Sequence, residues 1–238
     1  MKKFSAYIGK VFDSLSTDIG IDLGTANTLV YVKGKGIVQN EPTIVALNKK
    51  TGQLVAVGTD AKTMQGRTPA HIEVVRPLAN GVISDFEVTE EMLAYLIAKV
   101  RMGTRSFVAP RVLIGVPSGI TSVEMRAARD AARNAGAREV CLIEEPIAAA
   151  IGAKLPIHKP QGSMIIDIGG GTTDIAVISL SGIVTAKNLR IAGDRLNQDI
   201  ITYIRDQFKV LVGDKTAEDT KIALASVEEN AESKEIIV

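Results

Sequence analysis

The sequence predicts an α/β protein with two lobes, and three observations carry that prediction. The chain has 238 residues, long enough for two lobes, with 46% hydrophobic and 23% charged residues, as is usual for a globular protein. It has no Trp and few other aromatic residues, so Ile, Val, Leu and Ala must fill the core. Two stretches, GIDLGTANTLVYV at 20–32 and IIDIGGGTTDIAVI at 165–178, repeat one strand–turn–strand pattern.

The net charge and the single cysteine limit the kinds of partner, covalent link and metal site that the chain can have. A net charge of +1 gives no electrostatic case for nucleic acid as a partner. Cys141 stands alone, which excludes a disulfide within the chain and a cysteine-based metal cluster, and it favours a reducing cytoplasm. Its apolar neighbours predict a small core residue. No apolar run approaches the ~20 residues of a membrane span, and the N-terminus does not resemble a secretory signal.

Residues 2–15 have the spacing of a short amphipathic helix. Lysines lie off its apolar face, so it could pack on its own domain or lie on a membrane surface, and the pattern favours neither. The apolar face consists of Phe4, Ile8, Val11, Phe12 and Leu15.

The remaining elements of the first half follow in order. A hairpin is predicted over 18–32, then two short strands in IVQNEPTIVAL, a strand in TGQLVAVG and a helix with a loop in DAKTMQGRTP. The stretch 89–101, TEEMLAYLIAKVR, predicts a helix that starts at Thr89.

A βαβ unit follows. RVLIGVP predicts a buried strand, and Thr121 with Glu124 predicts a capping box for the helix SVEMRAARDAARNA, which Gly136 ends. EVCLI is the parallel return strand, and Pro146 suits the first turn of the helix in EEPIAAAIGA.

The best lobe boundary is 155–163, LPIHKPQGS, which contains two prolines and a glycine. After the second hairpin, GIVTAKNL predicts a strand, DRLNQDIITYIRDQF a helix that follows Gly193, and TAEDTKIALASV another helix.

The two turns have the composition of anion-binding loops. Gly24, Gly169, Gly170 and Gly171 are expected to allow close approach and positive φ, so that backbone N–H groups converge on an anion. Thr25, Asn27 and Thr172 add side-chain donors. Neither turn matches a Walker A loop or the G-x-G-x-x-G pattern, and each turn alone could be structural.

The acids strengthen the case for a ligand. Asp22 and Asp167 end apolar strands, where a carboxylate is costly unless it is paired or solvated. Two such carboxylates facing across a cleft would suit hydrated Mg²⁺, and the two hairpins would then clamp the phosphates of a nucleotide. The alternative is a duplicated scaffold without a ligand.

A further acid lies in LIEEPIAAAIG, at the end of a buried strand. It could orient the water that attacks a γ-phosphate, or it could stabilise the helix start. Glu144 and Glu145 could divide these two roles.

The whole set of motifs resembles the MreB family of bacterial actin-like proteins. The resemblance covers residues 18 to about 238 and is specific, well beyond the general pattern of actins, sugar kinases and heat-shock chaperones. The motifs that carry it are GIDLGTANT, GKGIVQNEPT, GRTP, LIGVPSGIT, LIEEPIAAAIGA, IDIGGGTTD, AVISLSGIV and RIAGD.

That resemblance implies an actin-like, ribonuclease H-like fold with ATP and Mg²⁺ between two lobes, slow ATP hydrolysis and filaments on the inner face of the cytoplasmic membrane. Implied partners are further copies of the chain, anionic lipids and the cell-wall elongation machinery that maintains rod shape. The implied division is a membrane helix at 1–16, a first-lobe core at 17–45 and 89–154 with a small insert at 46–88, a second-lobe core at 155–195 and a second small subdomain at 196–238.

Carried over by position, the resemblance assigns the site residues. The first phosphate loop would be Gly24, Thr25, Ala26 and Asn27, and the second Gly169, Gly170, Gly171 and Thr172, with Asp22 and Asp167 near the metal. Glu145, Thr172 and Asp167 would act in catalysis, and Gly193, Glu218 and Lys221 would contact the nucleotide. Phe107 and Val108, in the stretch RSFVAPR, would join the N-terminal helix at the membrane. Asp174 departs from the family, which usually has Glu there.

Length is the larger departure, because family members run about a hundred residues further. We therefore expect a C-terminally incomplete fold and weak or absent polymerisation of the 238-residue chain. Two other functions remain open: a truncated homologue that binds partners without hydrolysing ATP, and the ATPase lobe of a chaperone-like protein. A sugar kinase fits the fold class but lacks a recognisable sugar pocket.

Overall fold

The computed structural model describes residues 16–79, 81–103, 108–228 and 234–236. Its first lobe is built on a five-stranded mixed sheet in which β1 is central, antiparallel to β2 and parallel to β9, while β10 is parallel to β9. The strands in spatial order are β10 (Glu139–Glu144), β9 (Val108–Val116), β1 (Ser16–Leu23), β2 (Asn27–Val32) and β3 (Gly36–Pro42).

One face of this sheet forms the main core. Alternate residues of β1, such as Ile19 and Ile21, are buried together with Val112 and Ile114 of β9. They share one hydrophobic cluster with buried residues of two helices, α2 (Phe86–Met102) and α3 (Ser122–Asn134). The carboxyl ends of β1, β9 and β10 therefore meet at one edge of the sheet.

A second, smaller unit interrupts the first lobe. Its three-stranded sheet has the order β5 (Leu54–Val57), β4 (Val45–Asn48), β6 (Ile72–Val75), and α1 (Thr59–Met64) packs beside it. The chain returns through a two-stranded ribbon, β7 (Leu78–Ala79) and β8 (Val82–Ile83). The sequence patterns did not predict β6, β7 or β8.

The helix α4 (Glu145–Gly152) links the first lobe to the second lobe, which repeats the hairpin. Its antiparallel sheet has the order β11 (Ser163–Ile168), β12 (Thr173–Ser179), β13 (Gly182–Leu189). Two helices follow, α5 (Gly193–Phe208) and α6 (Asp214–Leu224).

Most local predictions are confirmed. Thr121 and Glu124 form a reciprocal capping box, Gly136 follows α3 with φ +100°, and Pro146 lies in the first turn of α4. Two expectations are wrong. The helix predicted from Thr89 begins at Phe86, because the Asp85 side chain caps it by accepting a hydrogen bond from the Val88 N–H.

Cys141 is the second wrong expectation, because it is exposed. Its neighbours Val140 and Leu142 point toward the helices, so the alternation of a strand turns Cys141 to the opposite face. An apolar run alone does not say which face of a strand is covered.

Candidate functional site

The first loop joins β1 to β2 and is held from behind by Thr43. The Thr43 hydroxyl donates to the Gly24 carbonyl at 2.6 Å, and its backbone N–H donates to the Ala26 carbonyl at 2.9 Å. Thr43 is almost fully buried and also shares a 2.8 Å hydrogen bond with the Thr28 hydroxyl. This contact gives the Thr of the NEPT motif a role that the sequence did not reveal.

The second loop joins β11 to β12 and is held by backbone groups. The Gly169 N–H donates to the Thr172 carbonyl at 2.9 Å, which closes the turn. From the start of α5, the N–H groups of Gly193 and Asp194 donate to the carbonyls of Gly169 and Gly170 at 3.1 and 2.8 Å. The RIAGD motif thus fixes the second loop.

The two loops touch each other across the lobes. A β-carbon on Gly170 would come within 2.5 Å of the Ala26 β-carbon, and one on Gly171 would come within 2.8 Å of the Thr25 hydroxyl oxygen. The expected close approach is therefore confirmed. The expected positive φ is wrong for Gly24, Gly169, Gly170 and Gly171, since none of them is among the positive-φ glycines.

A third element, the turn at Gly81 between β7 and β8, lies against both loops. The Gly81 N–H donates to the Thr25 hydroxyl at 2.9 Å. A β-carbon on Gly81, whose φ is +78°, would lie 3.3 Å from the Thr172 methyl carbon. The Thr25 oxygen thus already accepts one hydrogen bond, and its own proton is free to be donated to an anion.

These elements enclose a cavity of about 550 Å³ at the carboxyl ends of the first-lobe strands. Most of the predicted nucleotide residues line it. They are Asp22, Gly24, Thr25, Ala26, Asn27, Glu145, Asp167, Gly169, Gly170, Gly171 and Thr172, joined by Gly81, Gly115 and Asp174. The loops of both lobes therefore face one space.

Three acids in this cavity hold protons more tightly than usual. Burial raises the pKa of Asp22, and the charge of Asp167 raises it further. Burial, then the charge of Asp174, raises the pKa of Asp167. Burial, with repulsion from Asp22, Asp174 and Asp167, raises the pKa of Glu145 to about 8. A positive charge bound in the cleft would therefore be stabilised by these acids.

The structure also separates the two adjacent acids. Glu145 lines the cavity, and a β-carbon on Gly115 would lie 3.4 Å from the Glu145 Cγ atom and 3.9 Å from an Asp22 carboxylate oxygen. Glu144 ends β10 as the N-cap residue of α4 and is not among the lining residues.

Three predicted nucleotide residues form a group beside the cavity without lining it. The Lys221 ammonium donates to Glu218 at 2.7 Å and to the Gly193 carbonyl at 3.3 Å, while Asn197 donates to the same Glu218 oxygen at 2.6 Å. The hydrogen bonds from Lys221 and Asn197 lower the pKa of Glu218. This group lies against the second loop, since Gly193 contacts Gly169.

The residues present fit a cation that keeps most of its waters. No group of three or more His, Cys, Asp or Glu side chains in the described part of the chain could hold a metal by itself. Asp22 and Asp167 nonetheless repel each other across the cavity, and positive charge would relieve that repulsion. Mg²⁺ commonly binds through one or two carboxylates together with phosphate oxygens.

The predicted membrane residues are mostly outside the described residues. That applies to Phe4, Ile8, Val11, Phe12, Leu15 and Phe107. Val108 is described as the first residue of β9 and is half-buried. Within the described ranges, no helix is long and apolar enough to cross a membrane.

Comparison of the chain with known proteins identifies its family. The profile of the MreB/Mbl proteins matches residues 16–238. The chain belongs to the MreB/Mbl family. It is 53% identical to the cell shape-determining protein Mbl of Bacillus subtilis over 221 residues, which are 93% of this chain and 66% of that protein.

Solved structures show that this MreB/Mbl chain has the actin-like fold. MreB5 of Spiroplasma citri bound to ADP superposes with a TM-score of 0.83 at 42% identity, covering 90% of this chain and 64% of that one. The MamK double helical filament gives a TM-score of 0.72 at 23% identity, covering 87% and 64%. The chain thus spans slightly less than two thirds of the length of these relatives.

Proposed function

We propose that this MreB/Mbl protein binds ATP with Mg²⁺ between its two loops, hydrolyses it slowly and serves as a cytoskeletal subunit. The single observation that carries the proposal is the contact of two Gly-rich loops, one from each lobe, around a cavity that contains Asp22 and Asp167. Binding of ADP by MreB5, whose structure is similar, supports a nucleotide as the ligand.

Each group in the cavity then has a task. Backbone N–H groups of the two loops and the Thr25 and Thr172 hydroxyls donate to the phosphates. Asp22 and Asp167 would hold hydrated Mg²⁺, which neutralises phosphate charge. Positive charge in the cleft lowers the pKa of Glu145, so its carboxylate forms in the loaded site and can orient a water.

The two adjacent acids supply the test of hydrolysis. We expect Glu145→Ala to retain ATP but to release phosphate about 100-fold more slowly, because water positioning by a carboxylate contributes roughly 10²–10⁴-fold. Glu144→Ala is the matched control and should change the rate little. Phosphate release and ATP affinity are measured on the same preparations.

The outcomes discriminate between the candidate functions. A large effect of Glu144→Ala would mean that the wrong acid has been assigned. ATP binding without phosphate release by the wild-type chain would support a non-hydrolysing homologue that acts through binding.

Self-association into filaments extends this proposal. The MamK structure shows that a chain with this fold assembles into a double helical filament. We further propose that assembly takes place at the inner face of the cytoplasmic membrane and guides cell-wall elongation, in line with the cell shape-determining relatives.

The position of β1 and β9 supports the membrane part of the proposal. Ser16 pairs with Val108 in the parallel register, so the points at which residue 15 and residue 107 connect to the first sheet lie at the same end of it. The turn after β2 lies at that end too, since the Lys33 N–H donates to the Asp18 carbonyl at 3.1 Å. Lys35 there donates to the Gly103 carbonyl at 2.7 Å.

Vesicle binding tests this placement. We expect the chain to bind anionic vesicles more tightly than neutral ones, since each Lys near an anionic surface contributes about 1 kcal/mol. Deletion of residues 1–15, which spares β1, should abolish binding, and Phe107→Ser should weaken it. Full binding after the deletion would show that the N-terminal segment packs on its own lobe.

A further inference from the structure

Asp174 joins the two lobes beneath the second loop, and the proposed function assigns it no task. It lies in β12 of the second lobe and is only 2% exposed. One carboxylate oxygen accepts hydrogen bonds from the Ser118 N–H at 3.1 Å and the Ser118 hydroxyl at 2.5 Å. The other oxygen accepts from the Asn188 side chain at 2.7 Å.

These three donors come from different lobes. Ser118 lies in the loop that follows β9 of the first lobe, within the LIGVPSGIT stretch. Asn188 lies in β13, next to Asp174 in the second-lobe sheet. A movement that separates the lobes along this line breaks the two bonds from Ser118 and leaves the bond from Asn188 intact.

The contact is close to the phosphate loops on both sides. Asp174 follows Thr172 by two residues and pairs with Asp167 in the register of β11 and β12. Ser118 follows Gly115 by three residues, and Gly115 lies against Glu145 and Asp22. The Ser118–Asp174 contact therefore connects the strand that carries the second loop to the strand behind the first-lobe acids.

A buried carboxylate makes this contact strong. Hydrogen bonds to a charged group are shorter and stronger than neutral ones, and a buried charge that loses donors must bear part of its desolvation cost. The donors that the structure gives to Asp174 are all neutral. Separation of the lobes would remove the two hydrogen bonds from Ser118 and leave the buried carboxylate with the one from Asn188, and for that reason separation is unfavourable.

We propose that Asp174 is a positioning residue whose bonds to Ser118 hold the lobes closed and slow the release of bound nucleotide. This inference rests on the proposed nucleotide site. It assigns Asp174 no contact with the nucleotide, because the carboxylate acts through the position of the second loop.

Two variants of its donors test the inference. Ser118→Ala removes a hydrogen bond between the lobes, whereas Asn188→Ala removes one to the same carboxylate within the second lobe. With Mg²⁺ and a fluorescent methylanthraniloyl-ADP in stopped-flow experiments, we expect Ser118→Ala to raise the dissociation rate about tenfold and to change the association rate less than threefold. Asn188→Ala should stay within threefold in both rates.

Rescue separates positioning from general destabilisation. Ser118→Thr keeps the hydroxyl and should restore slow dissociation. Equal acceleration by Ser118→Ala and Asn188→Ala, or no acceleration by either, would overturn the inference.

Hydrogen exchange in the nucleotide-free chain tests the contact independently. The Ser118 amide should exchange about tenfold faster in Asp174→Ala than in Asn188→Ala. Equal exchange in the two variants would overturn the contact between the lobes whatever the nucleotide does. A wild-type chain that binds no methylanthraniloyl-ADP would overturn the proposed function, and faster exchange at Ser118 would still support the contact.

Discussion

The two hairpins share a sequence pattern but occupy unlike surroundings. In the first, β1 is the central strand of five, and its alternate residues Ile19 and Ile21 are buried. In the second, β11 is an edge strand, and its alternate residues Met164, Ile166 and Ile168 are 58%, 52% and 67% exposed. The same turn is thus built on a deeply buried strand in one lobe and on a half-covered one in the other.

The means of holding each turn differ as well. A buried side chain, Thr43, fixes the first loop, whereas backbone N–H groups at the start of α5 fix the second. The comparison teaches that the motif specifies the turn, while its position depends on residues outside the motif. A single substitution such as Thr43→Val removes the side-chain hydrogen bond, whereas substitutions other than proline leave the backbone N–H groups of Gly193 and Asp194 in place.

The contact between the loops gives the largest expected effect. Gly170→Ala would bring a methyl group within 2.5 Å of the Ala26 methyl group, so we expect ATP affinity to fall about 10- to 100-fold, and Gly170→Val should abolish binding. Calorimetry measures the affinity, and circular dichroism checks that the sheets persist.

A paired substitution serves as the control for this prediction. Ala26→Gly combined with Gly170→Ala removes the clash and should restore most of the affinity. Gly152→Ala adds a methyl group where no atom lies within 4 Å and should have no effect. Unchanged affinity in Gly170→Ala would show that the loops do not meet around the nucleotide.

Removal of the side-chain brace should have a smaller effect. Thr43→Val keeps the shape but deletes the hydrogen bond to the Gly24 carbonyl, so we expect about a fivefold loss of ATP affinity. Thr89→Val is matched in chemistry and burial, but its hydroxyl donates to the Asp85 carbonyl at the start of α2, outside both loops and the RIAGD motif, and it should lower only the melting temperature. Equal affinity losses in the two variants would show that Thr43 does not act through the first loop.

The smallest expected effect is on stability, and it comes from Glu145 at the edge of the first sheet. Because burial and neighbouring charges raise the pKa of Glu145 to about 8, the folded chain keeps this proton longer than the unfolded chain. The contribution of Glu145 to the stability of the folded chain is therefore fully present below pH 4.5, and it is lost as the pH rises through about 8. Without nucleotide, Glu145→Gln should melt about 3 °C or more above wild type at pH 9.

The two melting curves should converge at pH 5, where Glu145 is protonated in the folded chain. A constant difference between wild type and Glu145→Gln from pH 5 to 9 would show that the Glu145 charge is not buried among the other acids.

Local signals predicted much of this fold. Both hairpins, the Thr121 capping box and the helix end at Gly136 follow from residues that are neighbours in sequence. The facing carboxylates Asp22 and Asp167 could be predicted because the motif occurs twice.

What the sequence did not predict depends on distant contacts. Thr43, Gly81 and Ser118 reach the site from elements without a motif of their own for phosphate binding. Their neighbours across space are 19, 56 and 56 residues away along the chain. The expectation that Cys141 is a core residue was wrong for a related reason, since the covered face of β10 depends on where the helices pack.

The pairing of Ser16 with Val108 also fixes an orientation. β1 and β9 both run from that end toward the cavity, and the eight residues of β1 span about 26 Å at 3.3 Å per residue. In the membrane arrangement proposed above, two weak attachments at one end would act together, because the second forms at a high effective concentration once the first is made. A subunit held in that way would present its cavity to the side away from the lipid, so nucleotide would exchange with bulk solvent while the subunit stays on the membrane.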